Sequence, residues 1–286
     1  MMAAMTIPPI VDVSFLTDGE RDHEVVIADV RSYFDGRVGR DAYRGGHVPG
    51  AIFVDLDTDL AAPATTADGR HPLPSPGAFA AAMGRLGIGD DSTVIAYDDA
   101  GGSIAARLVW MLRVLGHEAA VLDGGIDAWT DDLETGDLET GEVTRPAATF
   151  TAAPWPAAHV ATVDDVRAAT VDPATTIVDA RAAGRFTGEV DSPLDPRPGH
   201  VPSARSFPWD GNIDPATRRF HPLRELRDRF APIANGDRVI VYCGSGVTAC
   251  HDVLALEQAG FTDVRLFPGS WSAWAADPDN PVETGT

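Results

Sequence analysis

The 286-residue sequence contains no lysine; all 22 of its basic side chains are arginine. That absence excludes several chemistries. There is no Schiff-base amine for pyridoxal phosphate or an aldol substrate, and no P-loop Gly-Lys-Ser/Thr to hold a nucleoside triphosphate. Positive charge is scarce altogether, since 43 acidic residues give a net charge of −21. Such a field repels phosphate backbones and anionic lipid, which argues against nucleic-acid and membrane partners. Cys243 and Cys250 are too few for a disulfide framework. No run approaches the ~18 apolar residues of a membrane span, and residues 1–10 lack a charged stretch leading into an apolar core, so a cytoplasmic protein is expected. The eight histidines and two cysteines show no CxxC, HExxH or HxH spacing. Neither a metal site nor a cofactor is expected.

What the chain does have is repetition. Residues 94–129 match 239–274, with Tyr97 on Tyr242 and Trp129 on Trp274 at one offset of 145. IADVR (27–31) matches IVDAR (177–181), and GHVPGA (46–51) matches GHVPSA (199–204), in the same order in both halves. Short apolar runs near 24–27, 94–97, 119–122, 176–178, 239–242 and 264–267 alternate with helical patterns such as 104–115 and 248–259. The alternation predicts an α/β fold, each half a mainly parallel sheet flanked by helices on both faces. The acidic, then Pro/Ala-rich stretch 136–158 reads as a linker between an N-terminal domain (1–135) and a C-terminal domain (159–286).

The copies disagree at one telling place. After the strand ending at Tyr97 stands Asp98; after the strand ending at Tyr242 stands Cys243, followed by Gly244-Ser245-Gly246-Val247-Thr248-Ala249. A nucleophile between a strand's carboxyl end and a helix N-terminus lies where open α/β sheets bind ligands. The glycines let successive backbone N–H groups turn inward as an anion nest, and the helix dipole adds positive potential. Free cysteine has a pKa of about 8.5, and this setting is expected to favour the thiolate.

The CGSGVTA loop, the paired GHVPxA segments and the tandem repeats resemble the two-domain sulfurtransferases of the rhodanese and 3-mercaptopyruvate sulfurtransferase superfamily, over nearly the whole chain. The resemblance implies tandem rhodanese-like domains, with the nucleophile only in the second. It implies that Cys243 takes up sulfur as a persulfide and passes it to cyanide or a thiol, either a small thiol or a thioredoxin-like protein. Thiosulfate-preferring members resemble C-R-K-G-V-T, whose cations suit a dianion. The mercaptopyruvate type resembles C-G-S-G-V-T, the loop found here. In that type a serine works with a histidine and an aspartate to move protons, which the resemblance carries over to Ser245, His71 and Asp57, with Asp55 as the alternative carboxylate. Arg185 in GRF matches the family's substrate arginine, the natural partner of a donor carboxylate. A second arginine usually follows about nine residues on; here Arg197, twelve on, is the candidate. Backbone groups of Gly244, Gly246, Val247 and Thr248 complete the expected binding set.

Other polar residues carry plainer expectations. His47, His200, Asp29 and Asp179 recur in both halves, so they are read as architecture. Cys250 is read as a small buried hydrophobe rather than a resolving thiol, Arg205 as a surface ion-pair member, and His251 receives no role. Three rival functions remain: a thiosulfate:cyanide sulfurtransferase, a persulfide carrier, and a phosphatase on the same fold. The last needs an arginine closing the cysteine loop, yet Ala249 lies six residues after Cys243 and no arginine occurs before Arg265.

Overall fold

The computed structural model describes residues 7–17, 24–132, 136–233 and 238–286. The chain forms two compact units. Unit 1 comprises Met1–Ala61, Pro74–Trp155 and Asp214–Phe220; unit 2 comprises Ala62–Leu73, Pro156–Ile213 and His221–Thr286. Each repeat therefore contributes one short segment to the other's unit.

In unit 1, β1 (Ile10–Val11), β2 (Val25–Asp29), β3 (Ile52–Phe53), β4 (Thr93–Tyr97) and β5 (Ala119–Leu122) form a parallel sheet in the order β1-β5-β4-β2-β3. In unit 2, β6 (Thr175–Asp179), β7 (Arg205–Ser206), β8 (Arg238–Tyr242) and β9 (Val264–Leu266) form a parallel sheet in the order β7-β6-β8-β9. A lone parallel bridge, Val160 to Leu266, stands where unit 1 has β1. Strands in such sheets are covered on both faces. Ile177, Ile240 and Tyr242 cluster with Val166, Trp271 and Trp274 on one face. Val178, Val239 and Val241 alternate with them and are equally buried, on the side of the helix Ala249–Ala259 that packs on β8. The expected α/β architecture is therefore found in both halves.

The same lock closes each repeat. Arg31 donates from Nη2 to Asp29 (2.6 Å) and to the Gly46 carbonyl (2.7 Å), while the Tyr97 hydroxyl donates to Asp29 and accepts from the Val48 N–H (3.0 Å). In unit 2, Arg181 donates to Asp179 (2.6 Å) and the Gly199 carbonyl (2.7 Å), and the Val201 N–H donates to the Tyr242 hydroxyl (3.1 Å). His47 stacks on Tyr43 and His200 on Phe186, each with Nδ1 2.8 Å from the carbonyl of its stacking partner. These residues tie a strand end to the GHVP turn, which accounts for their recurrence.

The stretch expected as a linker is bound along unit 1 as far as Trp155. Glu139 pairs through its backbone with His47, the Val143 N–H donates to the Tyr43 hydroxyl, Phe150 packs edge-on to Phe79, and the Trp155 indole donates to the Pro74 carbonyl. Residues 133–135 of its approach, and residues 1–6 of the N-terminal stretch read above, lie outside the described residues. Among the described residues no helix is long and apolar enough to cross a membrane.

Registers Asp29 to Tyr97 and Asp179 to Tyr242 place Asp98 and Cys243 at equivalent sheet edges. Asp98 is fully buried and accepts four backbone N–H groups, from Ala100, Gly102 and Ile104 at 2.8 Å and Ala105 at 3.0 Å. Burial pushes its pKa up, and the four donors pull the other way. Unit 1 thus fills its own anion nest with a carboxylate. Replacing Asp98 by alanine strands four buried donors, so the variant should lose about 3 kcal/mol of stability in urea unfolding; an unchanged midpoint and slope would sink this account of the loop.

Candidate active site

Cys243 leaves β8 into a loop held rigidly from behind. Its N–H donates to Ser270 Oγ (3.1 Å), its carbonyl accepts from the Trp271 N–H (2.9 Å), and the Gly244 carbonyl accepts from the Ser272 N–H (3.0 Å). Gly246 has φ +77°, and a Cβ there would lie 2.4 Å from the Pro268 carbonyl oxygen, so the loop can make this turn only with glycine. The payoff in geometry is that the Gly246 N–H reaches back to Cys243 Sγ at 3.2 Å. The amides of Gly244, Ser245, Val247 and Thr248 find no protein acceptor among the described residues. They stand with the N-terminus of Ala249–Ala259, whose dipole favours negative charge at this point. Cys243 itself is 2% exposed.

A second segment approaches the loop from residues 62–73. Gly69, at φ +87°, comes so close to the turn at 269–272 that a Cβ would meet the Gly269 carbonyl at 2.6 Å, and the Arg70 N–H donates to Ser272 Oγ (3.1 Å). That close approach sets the next two side chains against the Cys243 loop. His71 Nδ1 lies 2.8 Å from Ser245 Oγ. A Cβ on Gly244 would be 2.9 Å from Arg70 Nη2 and 3.0 Å from Arg185 Nη2. Arg185 is held by Asp195 in a two-point pair (2.8 and 2.5 Å).

Of the residues singled out in the sequence, the structure brings Cys243, Ser245, His71, Arg185, Gly244, Gly246, Val247 and Thr248 together in unit 2. Arg197 does not join them. Its guanidinium donates to the carbonyls of Ala275, Asp277 and Asn280 at 2.9–3.0 Å, a structural role that follows from its displaced register. Nine residues beyond Arg185 stands Leu194, whose carbonyl accepts from Arg70 Nη1. Asp57 belongs to unit 1, exposed in the first turn of the helix Leu56–Asp59; Asp55 caps that helix, accepting from the N–H groups of Asp57 and Thr58. Cys250 is fully buried with Sγ 3.4 Å from the Gly246 carbonyl. His251 lies in a buried cluster with Asn212 and Asp252.

Four residues escaped the sequence reading: Arg70, Asp195, Ser270 and Ser272. One had a signal. At the repeat offset Ser270 falls on Gly125, and both are left-handed, φ +51° and +59°. A serine where the sister copy uses glycine marks a conformation retained for its side chain.

A family model for the rhodanese-like domain matches residues 14–132 and 162–277. The chain is 40% identical over 269 residues to the probable 3-mercaptopyruvate sulfurtransferase of Pseudomonas aeruginosa, covering 92% of this chain and 93% of that protein. It is 39% identical over 265 residues to the putative thiosulfate sulfurtransferase SseB of Mycobacterium tuberculosis, covering 92% of each. The crystal structure of SseA from Escherichia coli, described as a rhodanese-fold 3-mercaptopyruvate sulfotransferase, superposes with a TM-score of 0.80 at 34% identity, over 93% of this chain and 99% of that one.

Two measurements test this geometry. Ser270→Gly and Ser270→Ala both remove the acceptor of the Cys243 N–H, so sulfur-transfer turnover should fall alike, by about tenfold. The glycine variant should be more stable than the alanine variant by about 1 kcal/mol, read in denaturant unfolding, because it relieves the left-handed backbone. Separately, burial pushes the Asp252 carboxyl up to about 7. Its unfolded value is lower, so its contribution to stability is complete in acid and is lost as pH rises through about 7. Denaturant titrations at pH 5 and pH 8 should show a smaller drop for Asp252→Asn than for the native chain.

Proposed function

The chain belongs to the rhodanese family and is a sulfurtransferase, and on that premise we propose that it takes sulfur from 3-mercaptopyruvate through a persulfide on Cys243 and passes it to a thiol or cyanide. The acceptor is a small thiol or a thioredoxin-like protein, and the setting is the cytoplasm. The Cys243 thiolate attacks the donor sulfur and forms an S–S bond. The donor's C–S bond breaks, and its electron pair passes to carbon as the enolate of pyruvate. A proton delivered to that carbon completes pyruvate. The acceptor thiolate then attacks the outer sulfur, the S–S bond breaks, and its electrons return to Cys243. No external oxidant is needed, because the donor carbon keeps the electron pair of the broken C–S bond and is reduced as the sulfurs join in the S–S bond.

One observation carries the choice of donor: a hydroxyl and an imidazole 2.8 Å apart, on the residues directly beside Gly244 and Arg70. An enolate leaving group needs a proton and sulfite does not, so a positioned acid serves mercaptopyruvate and has no task with thiosulfate. Ser245 delivers the proton and His71 supplies it. Arg185, its fork fixed by Asp195, holds the donor carboxylate. The convergent amides of Gly244 to Thr248 stabilise the charge on the persulfide.

The native chain should show a higher kcat/KM for mercaptopyruvate than for thiosulfate, and Cys243→Ser should lose both activities. His71→Gln should cost about a hundredfold with mercaptopyruvate and only a few-fold with thiosulfate. A tenfold preference for thiosulfate would overturn the donor assignment and favour the reading suggested by the name of the Mycobacterium relative. A single stoichiometric transfer without turnover would instead mark a carrier.

A further inference from the structure

We infer that Arg70 is a specificity-determining residue, the second guanidinium that holds the donor's carboxylate; this rests on the mercaptopyruvate assignment above. Arg70 and Arg185 approach one point over Gly244, to 2.9 and 3.0 Å, so their Nη2 atoms lie within about 6 Å of each other on the same side of the nucleophile's loop. A carboxylate accepting one charge-assisted bond from each, at roughly 2.7–2.9 Å, spans that gap. The two cations differ in how they are anchored. Arg185 is paired with Asp195 on one edge, which leaves its other edge toward Gly244. Arg70 has no carboxylate within ion-pair distance among the described residues, and its partners are the Leu194 carbonyl and, through its backbone, Ser272 Oγ.

Charge balance points the same way. Arg70, Arg181 and Arg185 are set against Asp179 and Asp195, leaving one positive charge beside the reacting sulfur in a chain whose net charge is −21. Burial lowers the Arg70 pKa and the negative charges of Asp195 and Cys243 oppose that, yet a guanidinium stays protonated throughout. A cation kept half-buried without a paired carboxylate is costly unless an anion arrives. The glycine at 244 fits the same arrangement. A cationic side chain there would be driven into two guanidinium groups, whereas glycine leaves the space between them to a ligand. Arg70 and His71 are consecutive, so one extended segment supplies both the grip on the carboxylate and the imidazole beside Ser245.

The test compares 3-mercaptopyruvate with mercaptoacetone, which keeps the thiol and ketone and replaces the carboxylate by a methyl group. The quantity read is the ratio of the two kcat/KM values in the native chain, Arg70→Ala and Arg70→Lys. Loss of one charge-assisted contact should shrink the native ratio by about 10- to 100-fold in Arg70→Ala, through KM for mercaptopyruvate, and Arg70→Lys should recover part of it. A native chain that does not favour mercaptopyruvate over mercaptoacetone brings down the donor assignment and this inference together. A native preference that Arg70→Ala retains to within about twofold, or a loss of turnover equal for both donors, overturns the role of Arg70 alone.

Discussion

Backbone N–H groups that converge at a sheet edge must be given a negative charge, and both halves of this molecule are organised around that requirement. In unit 1 the charge is built in: Asp98 is buried and consumes four amides. In unit 2 the equivalent position holds sulfur, and the Gly246 N–H is turned onto it at 3.2 Å. A carboxylate has enough oxygens to satisfy the nest permanently, which makes a stable and unreactive loop. A cysteine sulfur satisfies it only in part, so the remaining donors are available to a second, transferable sulfur and its charge.

The rest of unit 2 serves to keep that partly satisfied loop in shape. Ser270 accepts its first amide from a left-handed backbone, and the turn that follows accepts and returns bonds on both sides of Cys243. Asp179, Arg181 and Tyr242 anchor the strand ends behind it, as Asp29, Arg31 and Tyr97 do in unit 1. Shared architecture thus carries two different loops, Asp98-Asp99-Ala100-Gly101-Gly102 in one copy and Cys243-Gly244-Ser245-Gly246-Val247 in the other.

Scarcity of positive charge gives the arginines near the loop their weight. Arg197 looks in sequence like a ligand for the donor and is in fact spent on three carbonyls of the C-terminal segment. Its register, three residues beyond the family spacing, hinted at this. Arg70 offered no such hint, because nothing in a GRH tripeptide says which of its side chains will face a loop more than 170 residues away.

The amino-acid sequence by itself determined the duplication, the parallel α/β class of each half and the contrast of Cys243 with Asp98 at matched strand ends. Those properties are written in local periodicity, in glycine-bearing strand–helix junctions and in the contrast between two copies, all of which can be read without knowing what touches what. Only the tertiary structure decided which side chains meet. His71 reaches Ser245 across 174 residues and Arg70 meets Ser272 across 202. Such pairs depend on the close passage of Gly69 past Gly269, a packing constraint with no periodicity of its own. The same reason explains why the linker reading fell short: composition reported its polar surface, while Phe150 and Trp155 bind it to unit 1 through contacts that composition does not encode.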